Sequence, residues 1–138
     1  MHPVMRSVLA VVAGLGLSIA VVGGVEALSS RLYPLPEGLD YNDRAAMTTA
    51  FSQLPAGAFV AVLVAWGLGA LSGSFAAVYV SGRDTPGYVI GVLLGAAALA
   101  NLLIVPHPLW VWAGAAILIP LGTAIGVRKS GAGDRSAA

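Results

Sequence analysis

Apolar residues in this chain come in long unbroken runs, not in the three-and-four spacing of an amphipathic helix or the alternation of a half-buried strand. Four runs stand out, at residues 8–28, 55–80, 87–105 and 109–127. Each is close to or above the roughly 20 apolar residues that carry a helix across the hydrocarbon core of a bilayer. Polar residues gather between and beyond them: a long connection at 30–53, a turn Ser81-Gly-Arg-Asp-Thr-Pro86, a second turn Pro106-His107-Pro108, and a small polar stretch at 130–138. The pattern predicts an all-α membrane protein: a four-transmembrane-helix bundle in a single domain over 1–129, with a disordered tail at 130–138 that has nothing to bury.

The breaks between runs have physical causes. Pro86 suits the first turn of a new helix, where a missing N–H costs nothing. Pro106 and Pro108 cannot continue a helix and mark a short hairpin. The first run competes with a secretory signal, because Val25-Glu-Ala27 fits a small-x-small cleavage box. Its apolar stretch from Val8 to Val25 is longer than the ~7–15 residues of a signal core, so a retained span is expected.

The long connection has its own pattern. Tyr33-Pro-Leu-Pro36 is extended, since each proline fixes its own backbone and restricts its predecessor. Asp40 or Asp43 then caps a helix, and Met47, Ala50, Phe51 and Leu54 fall at i, i+3, i+4 and i+7. A short amphipathic helix at 44–53 follows. It either lies along the outer interface or serves as a helical linker packed on the bundle.

Composition agrees with the run pattern: 58% of residues are hydrophobic and 9% charged, against about 25% charged in an average soluble domain. Four spans put both ends of the chain on one side. That side holds Arg6, Arg83, Arg128, Lys129 and Arg135, and the other only Arg31 and Arg44. The positive-inside bias places both termini in the cytoplasm and the long connection outside. With no cysteine, disulfides, thiolate metal sites and cysteine nucleophiles are excluded, and a net charge of +1 without a basic stripe gives no reason to expect nucleic acid.

Candidate chemistry is sparse. Glu26 is the only acidic residue in a hydrophobic run, and a carboxylate at the bilayer centre costs roughly 2.5–3.5 kcal/mol on insertion scales, so such residues usually face a partner. Near the outer end of its span it reads as a structural carboxylate close to Arg31, or as a protonatable or cation-binding group. Asn101 is expected at similar depth on the third span, where its amide needs partners. His107 sits in the outer turn, either as an anchor beside Trp110 and Trp112 or as a titratable member of the same cluster. Glu26, Asn101 and His107 therefore form the candidate polar pocket, with the long connection as its lid.

Tyr33, Glu37, Asp40 and Asp43 are the outer-loop candidates. Asp40-x-Asn42 begins like a calcium loop, but Arg44 takes the next oxygen position and neither the turn glycine nor the distal Glu follows. Caps and solvated charges are the expectation there; no metal and no cofactor is expected. Three Gly-xxx-Gly steps, Gly69/Gly73, Gly91/Gly95 and Gly122/Gly126, allow close helix approach, either within the bundle or at a dimer face. A weak hairpin repeat is also visible: Glu26 and Asn101 near the outer ends of spans one and three, and glycine steps followed by basic residues in spans two and four. Ser72 and Ser74 have no base nearby, and no catalytic motif is present.

The stretches Tyr33-Pro-Leu-Pro-Glu-Gly-Leu-Asp40 and Asn101-Leu-Leu-Ile-Val-Pro-His-Pro-Leu-Trp110, with Trp66-Gly-Leu-Gly-Ala-Leu-Ser-Gly73, resemble a group of small uncharacterised four-helix bacterial inner-membrane proteins. The resemblance implies a bacterial inner membrane and brings no activity with it. The small multidrug exporters also have four helices and a Glu in the first span, but there the Glu is mid-helix and the loops are short. The functional expectation is a non-enzymatic scaffold or accessory protein, packing with itself or with a larger membrane partner. The alternative is a small transporter or channel in which the pocket takes a proton, cation or small polar solute; a lipid-handling role comes third.

Overall fold

The structure is a computed structural model and describes residues 2–131, so most of the tail predicted at 130–138 lies outside the described residues. It is all-helical among them, with five helices: α1 Pro3–Leu32, α2 Arg44–Ser52, α3 Ala56–Ser81, α4 Asp84–Ile104 and α5 Leu109–Lys129. Four of these, all but α2, are long and apolar enough to cross a membrane.

α1 extends beyond the predicted apolar run at both ends. Pro3 occupies the first turn and the His2 ring accepts from the Val4 N–H at 3.4 Å. At the far end Ser30, Arg31 and Leu32 stay helical, because the next breaker is Pro34; Tyr33 closes the helix with its N–H on the Ser29 carbonyl at 2.8 Å. α3 stops at Gly82, whose φ of 71° is left-handed and lets its N–H reach the Val78 carbonyl at 2.7 Å. Arg6 of α1 donates from Nε to the Val80 carbonyl at 2.8 Å, joining the two helices at this end. α4 starts three residues before the predicted run, at Asp84, with Pro86 still in its first turn.

α3 is the hub. Half of its apolar window is buried, 50% against 17% for α1, and it packs on α1, α4 and α5. Two kinds of packing surround it. Toward α1 both helices offer small residues: Gly14 and Ser18 meet Gly69, Gly73 and Ala77, and Ala10 is buried on the same stripe. A Cβ on Gly14 would lie 2.6 Å from the Gly73 carbonyl oxygen, and one on Gly73 would collide with Ser18 Oγ. Toward α4 and α5, at the end nearer the long connection, the space is filled by large side chains, including Phe59, Leu63, Trp66, Leu102, Val111 and Ile119.

The remaining glycines have distinct neighbours. Cβ atoms on Gly122 and Gly126 would strike the backbone carbonyls of Gly67 and Leu71 on α3, while one on Gly91 would meet the Thr123 side chain on α5. Gly95 has nothing within 4 Å of that position. The sequence-level hairpin repeat does not carry into packing: Gly69/Gly73 face α1, whereas Gly122/Gly126 face α3 and not α4, the counterpart of α1. Ser74, which the sequence leaves without a role, donates to the Gly87 carbonyl at 2.9 Å and ties α3 to α4.

Candidate functional site

The 105–108 turn and α2 build the site together. Val105 ends α4 in an extended conformation, its N–H on the Asn101 carbonyl at 2.8 Å, and Pro108 begins α5 with its carbonyl accepting from Val111 N–H at 3.0 Å. Between the two prolines His107 points inward. Its Nδ1 is 2.8 Å from the Val105 carbonyl oxygen. A carbonyl only accepts, so Nδ1 carries the hydrogen and, in the neutral ring, Nε2 presents a lone pair. The ring stands edge-on to Phe59 at a centroid distance of 5.9 Å and to Phe51 at 6.2 Å, and tilted to Trp66 at 6.3 Å. His107 thus closes the large-residue core from above.

α2 covers this turn. Asp43 is its N-cap, Oδ1 accepting from Ala45 N–H at 2.8 Å and Ala46 N–H at 3.1 Å. Met47 and Ala50 are buried, and half-buried Phe51 and Leu54 pack on the core, so the predicted apolar stripe faces the bundle. Between α2, the start of α3 and the turn lies a cleft of about 390 Å³ whose walls include Thr48, Phe51, Ser52, Phe59, His107 and Trp110.

The other residues of the long connection act locally. Asp40 accepts from Asn42 N–H at 2.8 Å in a turn, and Glu37 is exposed beside Gly38, whose positive φ of 76° the turn requires. Tyr33 is half-buried and lays its hydroxyl against Gly57. Among the described residues, no three carboxylate or imidazole side chains gather into one cluster.

Glu26 and Asn101 do not join His107. Both are exposed, their side chains make no hydrogen bond among the described residues, and they line neither the cleft nor the two apolar grooves described here. The expected Glu26–Asn101 contact is absent for a geometric reason. Depth along a helix is readable from sequence, but the direction a residue faces depends on where neighbouring helices dock. On α4, Ala98 and Leu102 turn inward and carry Asn101 outward; on α1, the inward stripe runs through Ala10, Gly14, Ser18, Val22 and Val25, leaving Glu26 on its flank. Sequence reasoning missed Thr48, Ser52 and Phe59 as cleft residues. The only signal for them was that α2 had to fold back over the turn.

Comparison with protein-family models, with curated proteins and with solved structures found no match.

Proposed function

We propose that this protein is a small integral membrane scaffold or accessory protein, with both termini on the cytoplasmic side of a bacterial inner membrane and α2 at the outer interface. The observation that carries the reading is the outward face of α1. Opposite its inward stripe lie Gly16, Ala20, Gly23 and Ala27, all exposed. Cβ atoms on Gly16, Gly23 or Gly24 would meet nothing within 4 Å. Close to that face stands the exposed carboxylate of Glu26. Small residues permit intimate helix contact in lipid, and a carboxylate at membrane depth calls for a partner, so this face suits a second helix better than it suits lipid alone. The α4–α5 groove, walled in part by Gly95, Trp112 and Pro120, offers another apolar surface for the same purpose.

A transporter pocket made by Glu26, Asn101 and His107 would need the three in one cavity, and the cleft that His107 lines includes neither of the other two. No enzymatic activity is part of this proposal. The native chain lacks cysteine, which makes single-cysteine crosslinking direct. Cysteines placed singly at Gly16, Ala20, Gly23 and Ala27 and alkylated with a maleimide photocrosslinker, which inserts into C–H bonds and needs no partner thiol, should form adducts in native membranes with a copy of the chain or with a larger protein, while Ala65→Cys in the core should not. Absence of adducts at all four outward positions, at native expression, would overturn the proposal.

A further inference from the structure

The cleft over His107 has a specific polarity. Thr48 Oγ1 donates its hydrogen to the Arg44 carbonyl at 2.8 Å, Ser52 Oγ donates to the Thr49 carbonyl at 2.8 Å, and His107 Nδ1 donates to the Val105 carbonyl at 2.8 Å. Three of the four polar side chains lining the cleft have therefore committed a hydrogen to their own backbone, and the fourth, Trp110, brings an indole N–H. What Thr48, Ser52 and His107 offer an occupant is lone pairs, on two hydroxyl oxygens and, in the neutral ring, on Nε2. Nε2 makes no hydrogen bond, and no side-chain nitrogen or oxygen is buried without a partner among the described residues, so Nε2 is an accessible atom of a residue that lines the cleft. Pro106 and Pro108, which also line it, have no N–H to offer.

The rest of the wall is aromatic. Phe51, Phe59 and Trp110 surround the space, the last two edge-to-face at 6.1 Å. Aromatic faces attract cations, and lone pairs attract N–H donors. A primary ammonium satisfies both at once: a compact positive charge with three hydrogens. A quaternary ammonium has the charge without the donors, and a neutral alcohol has a donor without the charge. The volume of about 390 Å³ accommodates a small organic group.

We infer that the cleft between α2 and the 105–108 turn is a binding site for a primary ammonium group, from a free small amine or from the aminoethyl headgroup of a lipid. The inference is independent of the scaffold proposal and stands or falls separately.

The test uses the full chain in nanodiscs of phosphatidylcholine and phosphatidylglycerol, titrated with ethylammonium and followed by calorimetry and by the His107 Nε2 nitrogen resonance. Saturable binding with a shift of that resonance is expected. Tetramethylammonium and ethanol should bind at least tenfold more weakly. Thr48→Val and His107→Phe, which keep shape and remove an acceptor, should each weaken ethylammonium about tenfold. Ser52→Ala, at an exposed position, supplies a variant whose folding is not at risk. In discs containing phosphatidylethanolamine, a resonance already shifted and insensitive to ethylammonium identifies the lipid as occupant; an unchanged titration identifies the free amine. No saturable binding in either disc, equal binding of tetramethylammonium, or full binding by all three variants would overturn the inference.

Discussion

Ser18 on α1 donates a hydrogen bond of 2.9 Å from Oγ to the carbonyl of Gly69 on α3, and the same hydroxyl occupies the space a side chain on Gly73 would need. One small polar residue thereby joins two helices whose register is set by glycines. Lipid gives no hydrophobic reason for apolar helices to associate, so this close approach, with its dispersion contacts and the Ser18 hydrogen bond, holds α1 to the bundle together with the Arg6–Val80 hydrogen bond at the other end.

Gly73→Ala is therefore expected to lower stability by about 1–3 kcal/mol through overpacking, and Ser18→Ala by about 0.6 kcal/mol, the average for an interhelical hydrogen bond in a membrane protein. Gly16→Ala and Gly95→Ala, where a Cβ meets nothing within 4 Å, should leave stability unchanged or raise it by up to about 1 kcal/mol, since alanine loses less backbone entropy in a helix. Reversible unfolding in mixed micelles, followed by circular dichroism, measures all four.

The two glycine steps on α4 and α5 should differ in tolerance. At Gly122 the obstacle is the Gly67 carbonyl on α3, a backbone atom that cannot rotate aside; at Gly91 it is the Thr123 side chain. Gly122→Ala should thus destabilise more than Gly91→Ala, toward the upper part of the roughly 1–3 kcal/mol range for overpacked sites. The reverse order in the same unfolding assay would show that α5 shifts freely along α3.

Glu26→Gln and Asn101→Leu are expected to leave the stability of the isolated bundle within about 0.5 kcal/mol, since neither side chain has an internal partner and both are exposed. If either variant lost much more than that in dilute micelles, the side chain would have an intramolecular contact that this arrangement lacks.

Asp43→Ala removes two hydrogen bonds to the first turn of α2 and should cost about 1 kcal/mol. Hydrogen exchange should accelerate in Arg44–Ser52 while the amides of α3 stay protected. Because α2 forms one wall of the cleft, exchange at His107 should rise with it; acceleration confined to the 37–42 turn would contradict the capping role.

What was legible in the sequence and what was not divide along a physical line. The four long helices and the short one at Arg44 follow from composition, run length and local signals: apolar runs of bilayer length, Pro106 and Pro108 as breaks, Asp43 as a cap, and the Met47, Ala50, Phe51, Leu54 stripe. These depend on interactions within a few residues of chain. Only the tertiary structure decided which way each helix faces. Hydropathy in a nearly uniform apolar helix is blind to azimuth, because lipid and a neighbouring helix are equally apolar surroundings. Glu26 and Asn101 share a depth that could be counted along the chain, with His107 in the turn just beyond, yet the docking of Gly14 and Ser18 on Gly73 and Gly69 and the inward turn of Ala98 and Leu102 leave the first two on outer faces. His107 alone is drawn in, because two prolines fix the backbone around it and α2 folds back to enclose its ring.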